Sequence, residues 1–87
     1  MIDLIRQIID ANGLLPVAAR TLAPNANLYE AGLSPFAAIQ LMLALEEACG
    51  VEFPRQMLRR QSFSSLNSIA GCLERMERME RMERKAA

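Results

Sequence analysis

Between residues 28 and 47 the chain spells out a loop, a turn and a helix start. Gly32 and Leu33 end a polar connector. Ser34 and Pro35 follow, and an apolar run broken only by Gln40 continues through Leu45. A serine hydroxyl at an N-cap accepts one of the backbone N–H groups that a helix start leaves unpaired. Proline at the next position loses nothing, because its missing N–H would be unpaired there, and its fixed φ suits the first turn. A helix is therefore predicted over residues 35–48, closed by Gly50. Phe36, Ile39, Met42 and Leu43 are assigned to its inward face, with Leu45 flanking them.

The flanking segments complete a helical outline. Ile2, Leu4, Ile5, Ile8 and Ile9 make a broad apolar stripe at helical spacing, with Asp3, Arg6, Gln7 and Asp10 between them. This predicts a first helix over residues 3–11, stopped by Asn12 and Gly13. Residues 13–33 form a long connector containing Pro16 and Pro24. A connector of that length needs packing of its own or a function. Residues 17–22 can make a helical turn, and Leu14, Leu15, Leu22, Leu28 and Tyr29 are its expected anchors.

After Gly50, Val51 to Pro54 reads as an extended link, since the residue before a proline avoids helix. Residues 55–60 have the length of one short helix, with Met57 and Leu58 as its apolar contacts. Ser62 is expected to cap a last helix from Phe63 onward, with Leu66, Ile69, Ala70 and Leu73 facing the core. The tail is a Glu-Arg-Met repeat. Glu74–Arg78, Glu77–Arg81 and Glu80–Arg84 are i,i+4 pairs worth about 0.2–0.5 kcal/mol each. Met76, Met79 and Met82 drift around the helix as a slanted stripe, because three residues fall short of a turn. A solvated extension of the last helix is the reading favoured over a self-associating seam. Two parts are expected: a helical domain over residues 1–74 and a charged helical extension over residues 75–87.

Composition narrows the function classes. The apolar fraction is 52% against 23% charged, which excludes a disordered chain. Leu, Ile, Met and Ala supply the filling, as in helix bundles. Ten basic and ten acidic residues give zero formal net charge, which argues against nucleic acid as a partner. The chain has no histidine, only Asp3 and Asp10 as aspartates, and a single lysine, Lys85, so a conventional active site is not expected. Cys49 and Cys72 lack metal-ligand spacing and read as small core residues of a reduced protein. No leader and no membrane-spanning run is read in the sequence, which goes with a cytoplasmic, monomeric protein.

The order of elements resembles the acyl carrier protein family over roughly residues 2–74. The specific part comprises Leu28-Tyr29, Gly32-Leu33, the run from Leu41 to Glu47, then Gly50 to Pro54, and Ser62 to Ser65. The run from Phe36 to Glu46 is similar to specialised carriers, some of which receive amino acids from ligases. The resemblance implies an all-α four-helix bundle with a long first loop and a short third helix. It also implies a 4'-phosphopantetheine arm, joined to a serine at the start of the second helix. There a phosphodiester meets free N–H groups and the positive end of the helix dipole. The family pattern places Asp at Ser34, the attachment serine at Pro35 and Leu at Phe36.

Proline has no hydroxyl, so two readings follow. Either Ser34 carries the arm one position early, with its N-cap role as the plainer account of that serine, or the chain is an unmodified carrier-fold docking or regulatory module. Carrier-pathway enzymes, namely an acyl or aminoacyl ligase and a transferase, are the implied partners. Where typical members show acids, this chain has Ala37, Ala38 and Gln40. The face Ser34, Ala37, Ala38 and Leu41 is expected to dock a dedicated partner, with Glu46 and Glu47 nearby. The expected core is Leu4, Ile5, Ile8, Phe36, Ile39, Leu43, Phe53, Leu66, Ile69 and Leu73.

Overall fold

The computed structural model describes residues 1–86, with side chains through residue 83. Three α-helices carry the fold: α1 (Ile2–Ala11), α2 (Pro35–Cys49) and α3 (Leu66–Ala86). Among the described residues there is no strand. The all-α expectation holds, with one change. Where a short third helix was expected, the chain makes two 3-10 turns, Arg55–Met57 and Arg60–Phe63. Between them Leu58 and Arg59 leave helical geometry, with Arg59 extended at φ −124° and ψ 152°. Six residues are too few to hold an α-helix by themselves. The turns instead bury Met57 and Phe63, while Leu58 points to solvent. The Phe63 ring lies 5.4 Å from that of Phe53.

α1 ends where Asn12 and Gly13 predict. Gly13 takes φ 59°, and the N–H groups of Gly13 and Leu14 return to the carbonyls of Asp10 and Ile9 at 3.2 and 3.1 Å. This is the double closure that a left-handed residue after a helix permits, with Ile9 and Leu14 both buried beside it. α1 packs against α2 and α3 through Ile5, Ile8 and Ile9. Leu4, expected in the core, is exposed. It shares a helical line with Gln7 and Ala11, both exposed, on the side away from Ile5 and Ile9.

The long connector is held by named contacts. The Arg6 guanidinium donates to the Leu22 carbonyl at 2.9 Å, and the Ala19 N–H donates to the Asp10 carboxylate at 2.7 Å. A 3-10 turn forms at Ala19–Thr21, inside the stretch expected to turn. Leu14 and Leu28 are buried, and Leu15, Leu22 and Tyr29 pack against the core. The Leu28 N–H donates to the Ser64 carbonyl at 2.8 Å, and the Asn67 N–H to the Pro24 carbonyl at 2.9 Å. Those two bonds fix the end of the connector against the start of α3.

α3 starts three residues later than the sequence predicts. Three serines, Ser62, Ser64 and Ser65, compete for the N-cap, and Ser65 takes it: its Oγ accepts the Ser68 N–H at 3.0 Å. Ser62 instead lies within the second 3-10 turn. The helix then runs unbroken through the Glu-Arg-Met repeat. Met76 is buried in the core, whereas Met79 and Met82 are exposed. Of the expected ion pairs, Glu77–Arg81 closes at 3.7 Å. The Arg84 side chain of the Glu80–Arg84 pair lies outside the described residues, as does that of Lys85.

Candidate functional site

The start of α2 is built by backbone geometry. The Asn27 carboxamide oxygen accepts the N–H groups of Tyr29 and Glu30 at 2.9 and 3.2 Å, which folds the turn before the helix. The Leu33 N–H returns to the Leu28 carbonyl at 2.9 Å. Gly32 sits at φ 114°, and a Cβ there would lie 2.6 Å from the Pro16 ring. Only glycine fits the close passage of the connector. Ser34 is extended, and its Oγ accepts the Ala37 N–H at 3.0 Å. Pro35 occupies the first helical position. The expectation of a Ser-Pro helix start is met in full, and Ser34 and Pro35 are both exposed.

The rotation of α2 differs from the one expected. Ala37, Leu41 and Leu45 are buried, with Leu41 and Leu45 at 0% exposure. Phe36, Ile39 and Leu43, assigned to the core, are 70%, 55% and 54% exposed. Met42 is half-buried against the core. Ala37 and Leu41, assigned to partner docking, are thus core residues, and Ala38 is half-buried. The cause is that α2 is apolar nearly all round, so a stripe at 36, 39 and 43 and one at 37, 41 and 45 fit the 3.6-residue period equally well. Gln40 and Glu47, about 20° apart at 100° per residue, mark the solvent side but do not separate the stripes. Buried Ala37 and exposed Leu43 both lie about 60° from Gln40, and buried Leu41 and exposed Ile39 both lie about 100° from it.

Glu46 and Glu47 divide between two roles. The Glu46 carboxylate accepts the Phe53 N–H at 2.8 Å, which ties the link after Gly50 to the end of α2. Glu47 is exposed. Gly50 closes the helix at φ 64°, as the sequence predicts.

Beside Pro35 runs a groove of about 450 Å³, which sequence reasoning did not foresee. Pro35, Ala38, Ile39 and Met42 line it from α2; Leu58, Arg59, Arg60 and Phe63 line it from the 3-10 segment; Tyr29 closes one side. The Tyr29 hydroxyl donates to the Arg60 carbonyl at 2.8 Å. The Arg60 guanidinium lies 3.9 Å above the Tyr29 ring. Burial raises the Tyr29 pKa above its ordinary value, and the Arg60 cation pulls it part of the way back. Among the described residues no group of His, Cys, Asp and Glu could hold a metal ion, and no helix is long and apolar enough to cross a membrane. Cys49 and Cys72 are free thiols, the second buried.

A small helical bundle whose second helix opens at an exposed hydroxyl, beside a groove, has the architecture of an arm-bearing carrier. A family profile described as "Phosphopantetheine attachment site" matches residues 3–73. The chain belongs to that family. It is 51% identical over 65 residues to an aminoacyl carrier protein of Agrobacterium fabrum, covering 75% of this chain and 78% of that one. Its fold is similar to a chain in the crystal structure of an engineered Bradyrhizobium japonicum glycine:[carrier protein] ligase complexed with a carrier protein from Agrobacterium tumefaciens and ATP. The TM-score there is 0.80 at 45% identity, over 84% of this chain and 95% of that one. A solution structure of a protein from Agrobacterium tumefaciens matches over 100% of both chains, with a TM-score of 0.72 and 41% identity.

The residues present fit the family's prosthetic group in part. The first turn of α2 contains no acid to repel a phosphodiester, and the groove offers space along its side. Pro35 cannot form the ester. Ser34 is the one hydroxyl at the helix start, and it is engaged as the N-cap.

Proposed function

We propose that this chain is an aminoacyl-type carrier protein that works by docking α2 on an amino acid:carrier protein ligase, with Ser34 as the residue that would hold a 4'-phosphopantetheine arm. When bound, the arm supplies a terminal thiol for a thioester; the chain itself supplies recognition and has no catalytic role. One observation carries the reading. Phe36, Ile39 and Leu43 form an exposed apolar ridge, in line along α2 and immediately beyond Ser34. A protein that spends three large apolar side chains on solvent at its helix start is shaped for a partner. The likeness to carrier chains solved with a glycine:[carrier protein] ligase supports a ligase as that partner. Free Cys49 and Cys72 go with a cytoplasmic setting.

Pro35 favours a second reading, in which the same ridge docks the ligase and the chain is never modified. Intact mass separates the two. The protein is incubated with coenzyme A and a promiscuous phosphopantetheinyl transferase, beside Ser34→Ala. A gain of one phosphopantetheine that vanishes in Ser34→Ala establishes the carrier with a shifted attachment site. No gain with several transferases establishes the unmodified module. Docking is read separately, by calorimetric titration with the Bradyrhizobium glycine:[carrier protein] ligase. Phe36→Ala is expected to weaken binding about tenfold or more, as for an aromatic anchor. Absence of binding by the unaltered chain refutes the docking reading.

A further inference from the structure

The docking surface is edged by cations, and this defines the chemistry of what it meets. α2 has no acid in its first turn. Its two carboxylates lie at the far end, and that of Glu46 is engaged by the Phe53 N–H. Across the groove, Arg59 and Arg60 share the lining with Ile39 and Leu58, and Arg55 begins the same segment. All three arginines are exposed, and among the described residues none is in an ion pair. The nearest acid in sequence, Glu52, is exposed and outside the groove lining, as is Glu30 beside Tyr29. Arg60 is held in place by its stack on Tyr29 at 3.9 Å, so its charge is presented with little rotamer freedom left to lose.

We propose that Phe36, Ile39, Leu43 and Leu58, with Arg59 and Arg60, dock an amphipathic protein helix whose apolar face is edged by carboxylates. This rests on the docking reading above and names the partner's chemistry. The geometry suits a helix: positions 36, 39 and 43 are spaced i, i+3, i+7 and span about 10 Å along α2, which is two turns of a facing helix. Ile39 belongs both to the ridge and to the groove wall, so an apolar side chain entering the groove brings its neighbours against the arginines. Carboxylates there meet two unpaired guanidiniums; lysines there meet like charge. Exposed pairs of this kind are each worth up to about fivefold in affinity, and they act mainly on partner choice and association rate.

The test uses the full chain, labelled with nitrogen-15, and two synthetic helical peptides that share one Leu/Phe face. One peptide carries Glu along the flanks of that face, the other Lys. Chemical shifts are followed to saturation at about 50 mM and about 300 mM salt, which shortens the screening length from roughly 14 to 6 Å. The Glu peptide is expected to bind about tenfold tighter at low salt, to shift residues 36–43 and 58–60, and to lose its advantage at high salt. Arg59→Glu leaves the Arg60–Tyr29 stack in place and should shrink the preference. Arg59→Glu with Arg60→Glu should reverse it, in protein whose thermal melt confirms folding. Equal binding of the two peptides, preference for Lys, no saturable binding of either, or shifts confined to other faces each overturns the proposal. A ligase that binds while the peptides show no charge preference defeats this inference alone. Peptides that show the preference while the ligase does not bind defeat the ligase reading alone.

Discussion

Leu41→Ala and Leu43→Ala form a matched pair that tests the rotation of α2. The two leucines are two positions apart in one helix, so propensity and distance from the helix ends are nearly the same. Leu41 is fully buried, and Leu43 is 54% exposed. Removing a fully buried leucine loses its transfer energy and leaves a cavity, about 2–5 kcal/mol together. The whole stability of an 87-residue domain is on the order of 4–13 kcal/mol. Leu41→Ala should therefore lower the melting temperature by roughly 8–40 °C, the upper end amounting to loss of cooperative folding. At Leu43 about half of the side chain is already in water, so the transfer loss is near 1 kcal/mol, with no enclosed cavity and a small gain from alanine's helix propensity. Circular dichroism at the helical band, in heat and in urea, measures both. A Leu43→Ala loss equal to that of Leu41→Ala would refute the rotation described here and put the 36–39–43 stripe in the core. The pair needs no partner and no arm, so it probes the docking ridge without assuming what binds there.

Three further outcomes are expected. Ser34→Ala should cost about 0.5–2 kcal/mol, because the Ala37 N–H loses its acceptor, and the loss should appear in urea midpoints of unmodified protein. Gly32→Ala should cost more than about 1 kcal/mol in the same assay, since a φ of 114° and a Cβ 2.6 Å from the Pro16 ring oppose it together. Tyr29 is the sole tyrosine, so the near-ultraviolet absorbance of its phenolate reports one site; its midpoint should lie above the value near 10 of a free tyrosine. A pKa raised by folding means that folding favours the neutral phenol. The stability linked to it is then complete below about pH 10 and is lost as the pH climbs through the folded value, and Tyr29→Phe should remove that alkaline loss.

Element boundaries were legible wherever local chemistry has a single solution. Asn12-Gly13, Ser34-Pro35 and Gly50 each answer a backbone need that few residue types meet, and each stands where it was read. Boundaries with several solutions were not legible. Ser62, Ser64 and Ser65 are equivalent caps by type, and the choice of Ser65 follows from contacts distant in sequence: Leu28 on the Ser64 carbonyl and Asn67 on the Pro24 carbonyl. The short third helix failed for a related reason. Residues 55–60 are helix formers by type but too few to hold a helix alone, and the positions of Met57 and Phe63 are set by the core they fill, which two tight turns deliver.

The candidate site was legible at its backbone and hidden at its surface, for one physical reason. A helix that is polar on one side announces its buried face, because burial of the polar side is costly. α2 makes no such announcement: Leu41 and Leu45 face the core while Phe36, Ile39 and Leu43 face solvent, so both faces carry the same residue types. On the docking reading proposed above, that ambiguity is what a docking helix leaves in its sequence. The arginines complete the argument. They are remote from α2 in sequence, and no pattern joins Arg59 and Arg60 to Ile39; the 3-10 geometry of Arg60–Phe63 and the Tyr29 contact bring them to the same groove. Position 35 is the converse case, plain in sequence and not altered by folding. Proline there perfects the helix start and removes the hydroxyl, so the residue that most improves the local fold is the one that most restricts where an arm can be attached.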